Sequence, residues 1–296
     1  MSAAPAAGPQ PGPPAYRPMR RRPLGATLVV GGFLIALIVL MALVSYVWTP
    51  WDPTFVNAAD RLQGFSSRHW LGTDKFGRDV FSQILMGSRT TLFVGVVAVG
   101  VAAIVGVPLG IVAAMASRWT GEALMRGNDL LLAFPALLLA IMFSAIYGGS
   151  TLVAMVAIGI ATVPSFVRLV RSGSMQVMRS EYVLAARAAG RRPFAIGLRH
   201  VLPNVGSLVI VQASVSFAIA VLAEAALSFL GLGTPAPTPS WGRMLQESQE
   251  FLFIAPRLCV IPGIAIALAV LGFNLLGDGL RDYLDPRLRS HGESGR

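Results

Sequence analysis

Residues able to do chemistry are sparse in this sequence and spread along it. Glu224 lies inside an otherwise apolar run, and the single lysine, Lys75, sits in Gly72-Thr73-Asp74-Lys75-Phe76-Gly77-Arg78-Asp79. His69, His200 and His291 fall in three different parts of the chain. A phosphate-cradling loop needs the spacing G-x-x-x-x-G-K-[ST], which Lys75 lacks, so ATP is not bound here by that route. A metal site needs convergent ligands, and three dispersed histidines do not supply one. G-x-S-x-G and H-E-x-x-H are both missing, which leaves a membrane-embedded hydrolase without its nucleophile or base. The expected chemistry is therefore recognition and positioning, with no catalytic residue, no metal and no cofactor in this chain. Cys259 is the only cysteine and forms no intrachain disulfide.

Three groups of residues remain. The first is the stretch EYVLAARAAGRRPFAIGLRHVLPN, residues 181–204. Glu181 to Ala189 are good helix formers, and Gly190 followed by Arg191, Arg192 and Pro193 reads as a helix stop and a second helix start. Tyr182, Ala185, Ala186 and Ala189 share one narrow face of small side chains, a face that lets another backbone or groove approach closely. Arg179, Arg187, Arg191 and Arg192 flank it with donors for acidic or carbonyl partners. Pro203-Asn204 reads as the turn into the next apolar run. The plainer alternative is a surface loop carrying arginines for reasons of topology.

The second group is His69 to Asp79. Gly72 and Gly77 permit tight turns, while Thr73, Asp74 and Asp79 suit a helix start before the amphipathic run Val80, Phe81, Ile84 and Leu85. Such a segment is either a capped helix on the outer membrane surface or a gating or docking surface for a binding protein. Pro235, Pro237 and Pro239 stiffen a later loop, which fits docking and strapping equally. The third is Glu224. A carboxyl in a span faces the solute path or hydrogen-bonds a neighbouring helix. Asp129 is expected to cap a helix start, Pro135 and Pro164 to kink their helices, and Gly106-x-x-x-Gly110 to allow close packing.

The elements that position these groups are membrane helices. Residues are 54% hydrophobic and only 13% charged, far from a soluble domain of this length. Uncharged runs at 24–48, 90–117, 130–167, 201–223 and 258–277 each reach the roughly 20 residues that a spanning helix needs. The run 130–167 would be about 57 Å long as one helix, so Tyr147-Gly148-Gly149-Ser150 near its middle is read as a turn. Six spans result, at 26–48, 91–116, 128–147, 151–170, 205–232 and 254–276. An even number places both termini on one side, with the 117–127 and 171–204 loops. That side carries 17 of the 24 Lys plus Arg residues and is expected to be cytoplasmic. The net charge of +10 follows from this topology, and no aromatic-interleaved basic patch points to nucleic acid. Leu24 to Trp48 exceeds a signal-peptide core and no A-x-A-like site follows, so it reads as a retained first helix. The proline-rich start reads as a disordered tail.

Three stretches resemble one known family. Ala185-Ala186-x-x-x-Gly190 followed by Arg199-His200-x-Leu202-Pro203-Asn204 resembles the "EAA" loop of bacterial ABC importer permeases, in the form found in peptide and nickel systems. The glutamate of that pattern is replaced by Leu184, with Glu181 about one turn earlier. His69-Trp70-Leu71-Gly72-Thr73-Asp74 through Gly77-Arg78-Asp79 and Leu227-Ser228-Phe229-Leu230-Gly231-Leu232-Gly233 through Pro239-Ser240-Trp241-Gly242 are similar to two further segments of the same subgroup. The match covers most of residues 20–290 and is to the C-type permease subunits of dipeptide and oligopeptide importers. It implies an all-α integral membrane protein of six transmembrane helices with type I importer architecture. It also implies a division into a cytoplasmic tail (1–23), a first transmembrane helix plus extracytoplasmic segment (24–89), a five-helix core (90–284) containing the coupling loop 171–204, and a second tail (285–296). The implied partners are a B-type permease, two ATPase subunits or one fused pair that bind the ATP, and an extracytoplasmic binding protein. The coupling residues would be Glu181, Tyr182, Ala185, Ala186, Arg187, Gly190, His200 and Pro203. A secondary transporter coupled through Glu224 is the alternative from another class.

Overall fold

The computed structural model describes residues 25–284, so the expected tails at 1–23 and 285–296 lie outside the described residues. Ten α-helices make up most of the described chain, and one isolated bridge joins Thr73 to Asp79. In chain order they are α1 (Ala26–Val47), α2 (Val80–Met115), α3 (Arg118–Leu132), α4 (Ala136–Tyr147), α5 (Thr151–Met178), α6 (Glu181–Ala188), α7 (Pro193–Ile196), α8 (Leu202–Phe229), α9 (Trp241–Ser248) and α10 (Arg257–Leu284). Five runs are long and apolar enough to cross a membrane: α1, α2, α5, Pro193–Phe229 and α10. The α3–α4 pair supplies a sixth crossing if its 77° bend is counted within one span.

Several readings of the sequence differ in the structure, most for a local reason. The second span begins at Val80 rather than near 91, because the Asp79 carboxylate caps it by accepting from the Ser82 amide. Val80, Ile84 and Leu85 are buried in the bundle, so the expected surface helix is instead the first turns of a long span. The expected span 128–147 is broken at 133–135, where Pro135 offers no amide and Phe134 before it is driven out of the helical region. Asp129 thus lies in the last turn of α3 and pairs with Arg168 at 2.7 Å instead of capping a helix start. Pro164 stays within an unbroken α5. Pro203-Asn204 makes no turn, since a π-helical turn over Gly197–Val201 carries the chain from α7 into α8 and accommodates Pro203, which has no amide to continue the helical bonding there. Gly148, with φ +86°, does end α4 where a turn was expected, and the Ser150 side chain caps α5.

Glycines set the closest helix contacts, as packing within lipid requires. A Cβ at Gly106 would come 2.6 Å from Phe166 Cβ, and one at Gly110 would come 2.8 Å from Val170 Cβ. The expected close packing at these two positions thus joins α2 to α5, the most extensive helix pairing in the molecule. Gly31 and Gly279 do the same between α1 and α10. At 36 residues α2 is about 54 Å long. Its capped start belongs to the 48–79 segment and its end, Met115, lies beside Gly197.

Candidate functional site

The two motif regions lie at opposite ends of the bundle and are built differently. At one end α6 and α7 form the expected pair of short helices. Glu181 in the first turn of α6 and Arg187 in the last complement the helix dipole. Gly190 has φ +76° and closes α6 in a Schellman arrangement: its amide bonds to the Arg187 carbonyl at 2.9 Å and the Arg191 amide bonds to the Ala186 carbonyl at 3.1 Å. Nothing crowds the position where its Cβ would stand, so glycine is required there by backbone conformation alone. Pro193 opens α7 in its first turn.

This pair is rooted by Val183, Ile196 and Val201, all fully buried with Phe166, Val170 and Val205. Its other side is open. Glu181, Tyr182, Ala185, Arg187 and Gly190 are exposed, as is Pro203, while Ala186 and His200 are half-buried. The Tyr182 ring lies 5.9 Å from that of His200, which links the two halves of the expected coupling set. His200 Nε2 has no partner among the described residues. Leu184, Phe194 and Leu198 complete the open side with exposed apolar groups. The sequence reading missed these three, although apolar residues between arginines on short loop helices were the available signal. Arg187 and Arg191 border a cleft with Met115, Pro193 and Ile196.

At the other end the 48–79 segment closes into a knot. Gly72 and Gly77, with φ +74° and +77°, turn the chain against the backbone of Gln63 and Asn57. The Thr73 hydroxyl donates to the Asp60 carbonyl and accepts from the Gln63 amide. Asp74 accepts from the amides of Phe76 and Arg78, from Arg78 Nε at 2.6 Å and from Gln83 Nε2 at 3.0 Å. Arg78 reaches on to Glu247 of α9, which also accepts from Arg243. Asp79 holds Ser82 with one carboxylate oxygen and His69 Nδ1, 3.0 Å away, with the other. Thr73, Arg78 and Asp79 are buried, so this motif is a scaffold joining three elements rather than a surface that meets a partner through these side chains. Arg243, Gln83 and Glu247 were missed because nothing local in the sequence pairs them with residues near 75.

Glu224 is 4% exposed, in α8. Its carboxylate accepts from the Ser228 hydroxyl at 2.6 Å and from the Thr234 hydroxyl at 3.1 Å, and Ser228 Oγ also accepts the Thr234 amide. These contacts tie the loop after α8 back onto the helix. The same loop is fastened by the Pro239 carbonyl, which accepts from Thr90, and by Trp241, whose indole donates to the Ile84 carbonyl. No group of three His, Cys, Asp or Glu side chains able to hold a metal occurs among the described residues.

Comparison with known proteins gives a consistent picture. Residues 106–290 match the family described as binding-protein-dependent transport system inner membrane component. The chain is 44% identical over 276 residues to the dipeptide transport system permease protein DppC of Alkalihalophilus pseudofirmus, covering 93% of this chain and 90% of that one. It is 42% identical over 263 residues to the glutathione transport system permease protein GsiD of Pectobacterium atrosepticum, covering 88% and 87%. The fold is similar to that of a chain in the inward-facing MetNI methionine ABC transporter, with a TM-score of 0.56, 16% identity, and 69% and 97% of the two chains covered.

Proposed function

The chain belongs to the family of inner membrane components of binding-protein-dependent transport systems, and we propose that within it this chain is one half of a peptide-importing pore, switched by separate ATPase subunits that grip α6 and α7. It is a permease of the ABC importer type and not an enzyme. The proposed assembly adds a B-type permease, two ATPase subunits, separate or fused, that bind the ATP, and an extracytoplasmic binding protein. Dipeptides or related small peptides are the proposed solutes, in keeping with the names of the relatives. Both termini and residues 171–204 face the cytoplasm in this reading, residues 48–79 face outward, and the five-helix core, expected from residue 90, begins with α2 at Val80 and runs to 284.

The observation that carries the coupling role is the two-sidedness of the α6–α7 pair. One side is anchored in the core by Val183 and Ile196, and the other presents Tyr182, Leu184, Phe194 and Leu198 to solvent. Exposed apolar groups ringed by arginines on a rooted element are suited to a groove that buries them. A push on that element is delivered to the core through its anchored side. For Glu224 we propose a structural role, because its carboxylate is enclosed by hydroxyls of its own chain. No observation favours a secondary transporter.

The test is reconstitution. Vesicles containing this chain with the permease, ATPase and binding-protein subunits encoded beside its gene should take up a labelled dipeptide only when ATP is supplied. Uptake by this chain alone, driven by a proton gradient, would overturn the reading. Orientation is tested in intact cells in a Cys259→Ser background. An impermeant thiol reagent should label Ser66→Cys and spare Ala188→Cys, both positions being exposed. The reverse pattern would invert the topology.

A further inference from the structure

The faces that α1, α2, α8 and α10 turn outward along their apolar lengths carry residues such as Leu40, Ile104, Ile219 and Ile264, which suit lipid. The inner part of α5 is different. Ser165, Arg168, Ser172 and Gln176 recur at helical spacing on one exposed stripe. Arg168 lies 17 residues beyond Thr151, about 26 Å along the helix, within the roughly 30 Å of a hydrocarbon core. Lipid is a poor neighbour for Ser165 and Arg168, whose hydroxyl and guanidinium groups need partners that hydrocarbon lacks, and Ser172 and Gln176 continue the stripe to the cytoplasmic side.

A further observation falls at the same place. Across from the stripe, Asp129 of α3 pairs with Arg168 at 2.7 Å, and both side chains are 54% exposed, so the pair opens to whatever fills the space beside it. One exposed positive group, one exposed negative group and the hydroxyls and amide of the stripe together match a short zwitterionic peptide, with its carboxylate, its ammonium and its amides.

We propose that the exposed α5 stripe of Ser165, Arg168, Ser172 and Gln176, with Asp129 opposite, is the inner stretch of the solute route, where a short peptide exchanges its own charged ends for the Arg168–Asp129 pair. The inference rests on the importer reading above. Because the two charges already satisfy one another, a passing peptide gains little net energy there, and it is released rather than trapped.

The experiment uses the complete assembly in inside-out vesicles, in a Cys259→Ser background, with binding protein and labelled alanyl-alanine enclosed in the lumen, so that external ATP drives release of the peptide. A cationic methanethiosulfonate should modify Ser165→Cys about ten-fold or more faster than Ile264→Cys on the apolar outer face of α10, since the reagent needs water to reach its target. Modified Ser165→Cys should lose ATP-driven release of labelled alanyl-alanine. At equal membrane abundance, Arg168→Gln and Asp129→Asn should each lower that release about three- to ten-fold, the loss expected when a charge-assisted contact becomes a neutral one. Reaction of Ser165→Cys as slow as that of Ile264→Cys would overturn the proposal, because the stripe would then be covered by lipid or by the partner permease. Undiminished release in the Arg168→Gln/Asp129→Asn double variant would overturn the role of the pair. The two readings fail separately: fast modification without any ATP-driven release would sink the importer and keep the wet stripe, whereas active release with a shielded stripe would do the reverse.

Discussion

The knot at 48–79 and the coupling pair at 181–204 are both short, polar, glycine-turned insertions between long apolar helices, yet one turns its motif side chains inward and the other outward. In the knot Asp74, Arg78 and Asp79 have partners inside the chain: Asp74 with Arg78, Arg78 with Glu247, and Asp79 with Ser82 and His69. In the coupling pair the apolar anchors are buried, but Tyr182, Leu184, Phe194 and the flanking arginines face solvent. Two segments with similar residue types thus divide into one that ties elements of the fold together and one whose proposed role is to meet another protein. Motif residues alone do not reveal which is which; the distribution of buried and exposed side chains does.

The strongest way to break this contrast is to attack the knot. Arg78→Ala leaves the Asp74 and Glu247 carboxylates, which are 13% and 15% exposed, without their shared cation. Breaking a buried ion pair from one side costs about 3–5 kcal/mol. The variant should vanish from the membrane or unfold at much lower temperature, as read by fluorescence-detected gel filtration after heating. Glu247→Gln added to it should recover part of the loss. Arg78→Ala at normal abundance and with normal thermal stability would show that the knot is not a scaffold.

Glu224 is the next largest. Glu224→Ala deprives the Ser228 and Thr234 hydroxyls of their shared acceptor, a loss of about 1–3 kcal/mol for buried groups. Membrane abundance of the Ala variant should fall, and Glu224→Gln, which keeps an acceptor oxygen, should stay close to the parent in both abundance and uptake. Uptake abolished in Gln at full abundance would return Glu224 to the solute path.

What was legible in the sequence follows the range of the interactions. Glycine turns and helix stops are local, so Gly148, Gly190, Gly72 and Gly77 could be read directly, and each has its positive φ. The apolar runs likewise marked the spans. Boundaries set by competition between neighbouring signals were harder. Pro135 and the charges of α3 outweighed the apolar run that joined 128 to 147, and the Asp79 cap moved the start of α2 outward from 91 to Val80. The roles of charged side chains were least legible, because their partners are remote in sequence. Arg78 and Glu247 lie 169 residues apart, and Asp129 and Arg168 lie 39 apart. For the same reason Glu224 could not be assigned, since Thr234 reaches it through a loop whose course periodicity does not encode.

Returning to the coupling pair, Gly190→Val probes its backbone. Left-handed geometry costs a non-glycine residue roughly 1–2 kcal/mol, with more for a β-branched one, and here no steric clash adds to it. The effect should stay local, so the protein should reach the membrane while the α6–α7 bend is lost. Purified assemblies carrying this variant should no longer raise their ATPase rate when loaded binding protein is added. Full stimulation would remove Gly190 from the coupling set.

The smallest effect on stability, and the sharpest test of the contrast, comes from Phe194→Ser. Phe194 is 77% exposed on α7, so its removal touches neither the anchored side at Ile196 nor the Gly190 turn. Surface changes of this kind alter stability by about 0.5 kcal/mol or less. Heating curves and membrane levels should therefore match the parent, in direct opposition to Arg78→Ala at the far end of the bundle. Exposed aromatics at the centre of an interface nevertheless carry a large share of binding energy, often 2 kcal/mol or more. The ATPase subunits should then co-purify with this variant poorly, at about one thirtieth or less of the parent affinity if that figure holds. A variant that is stable yet unbound is the expected signature of an incomplete surface. If the ATPase subunits bind as before, Phe194 lies outside the contact and the grip must rest on Tyr182 and Leu184, whose serine variants would then carry the test.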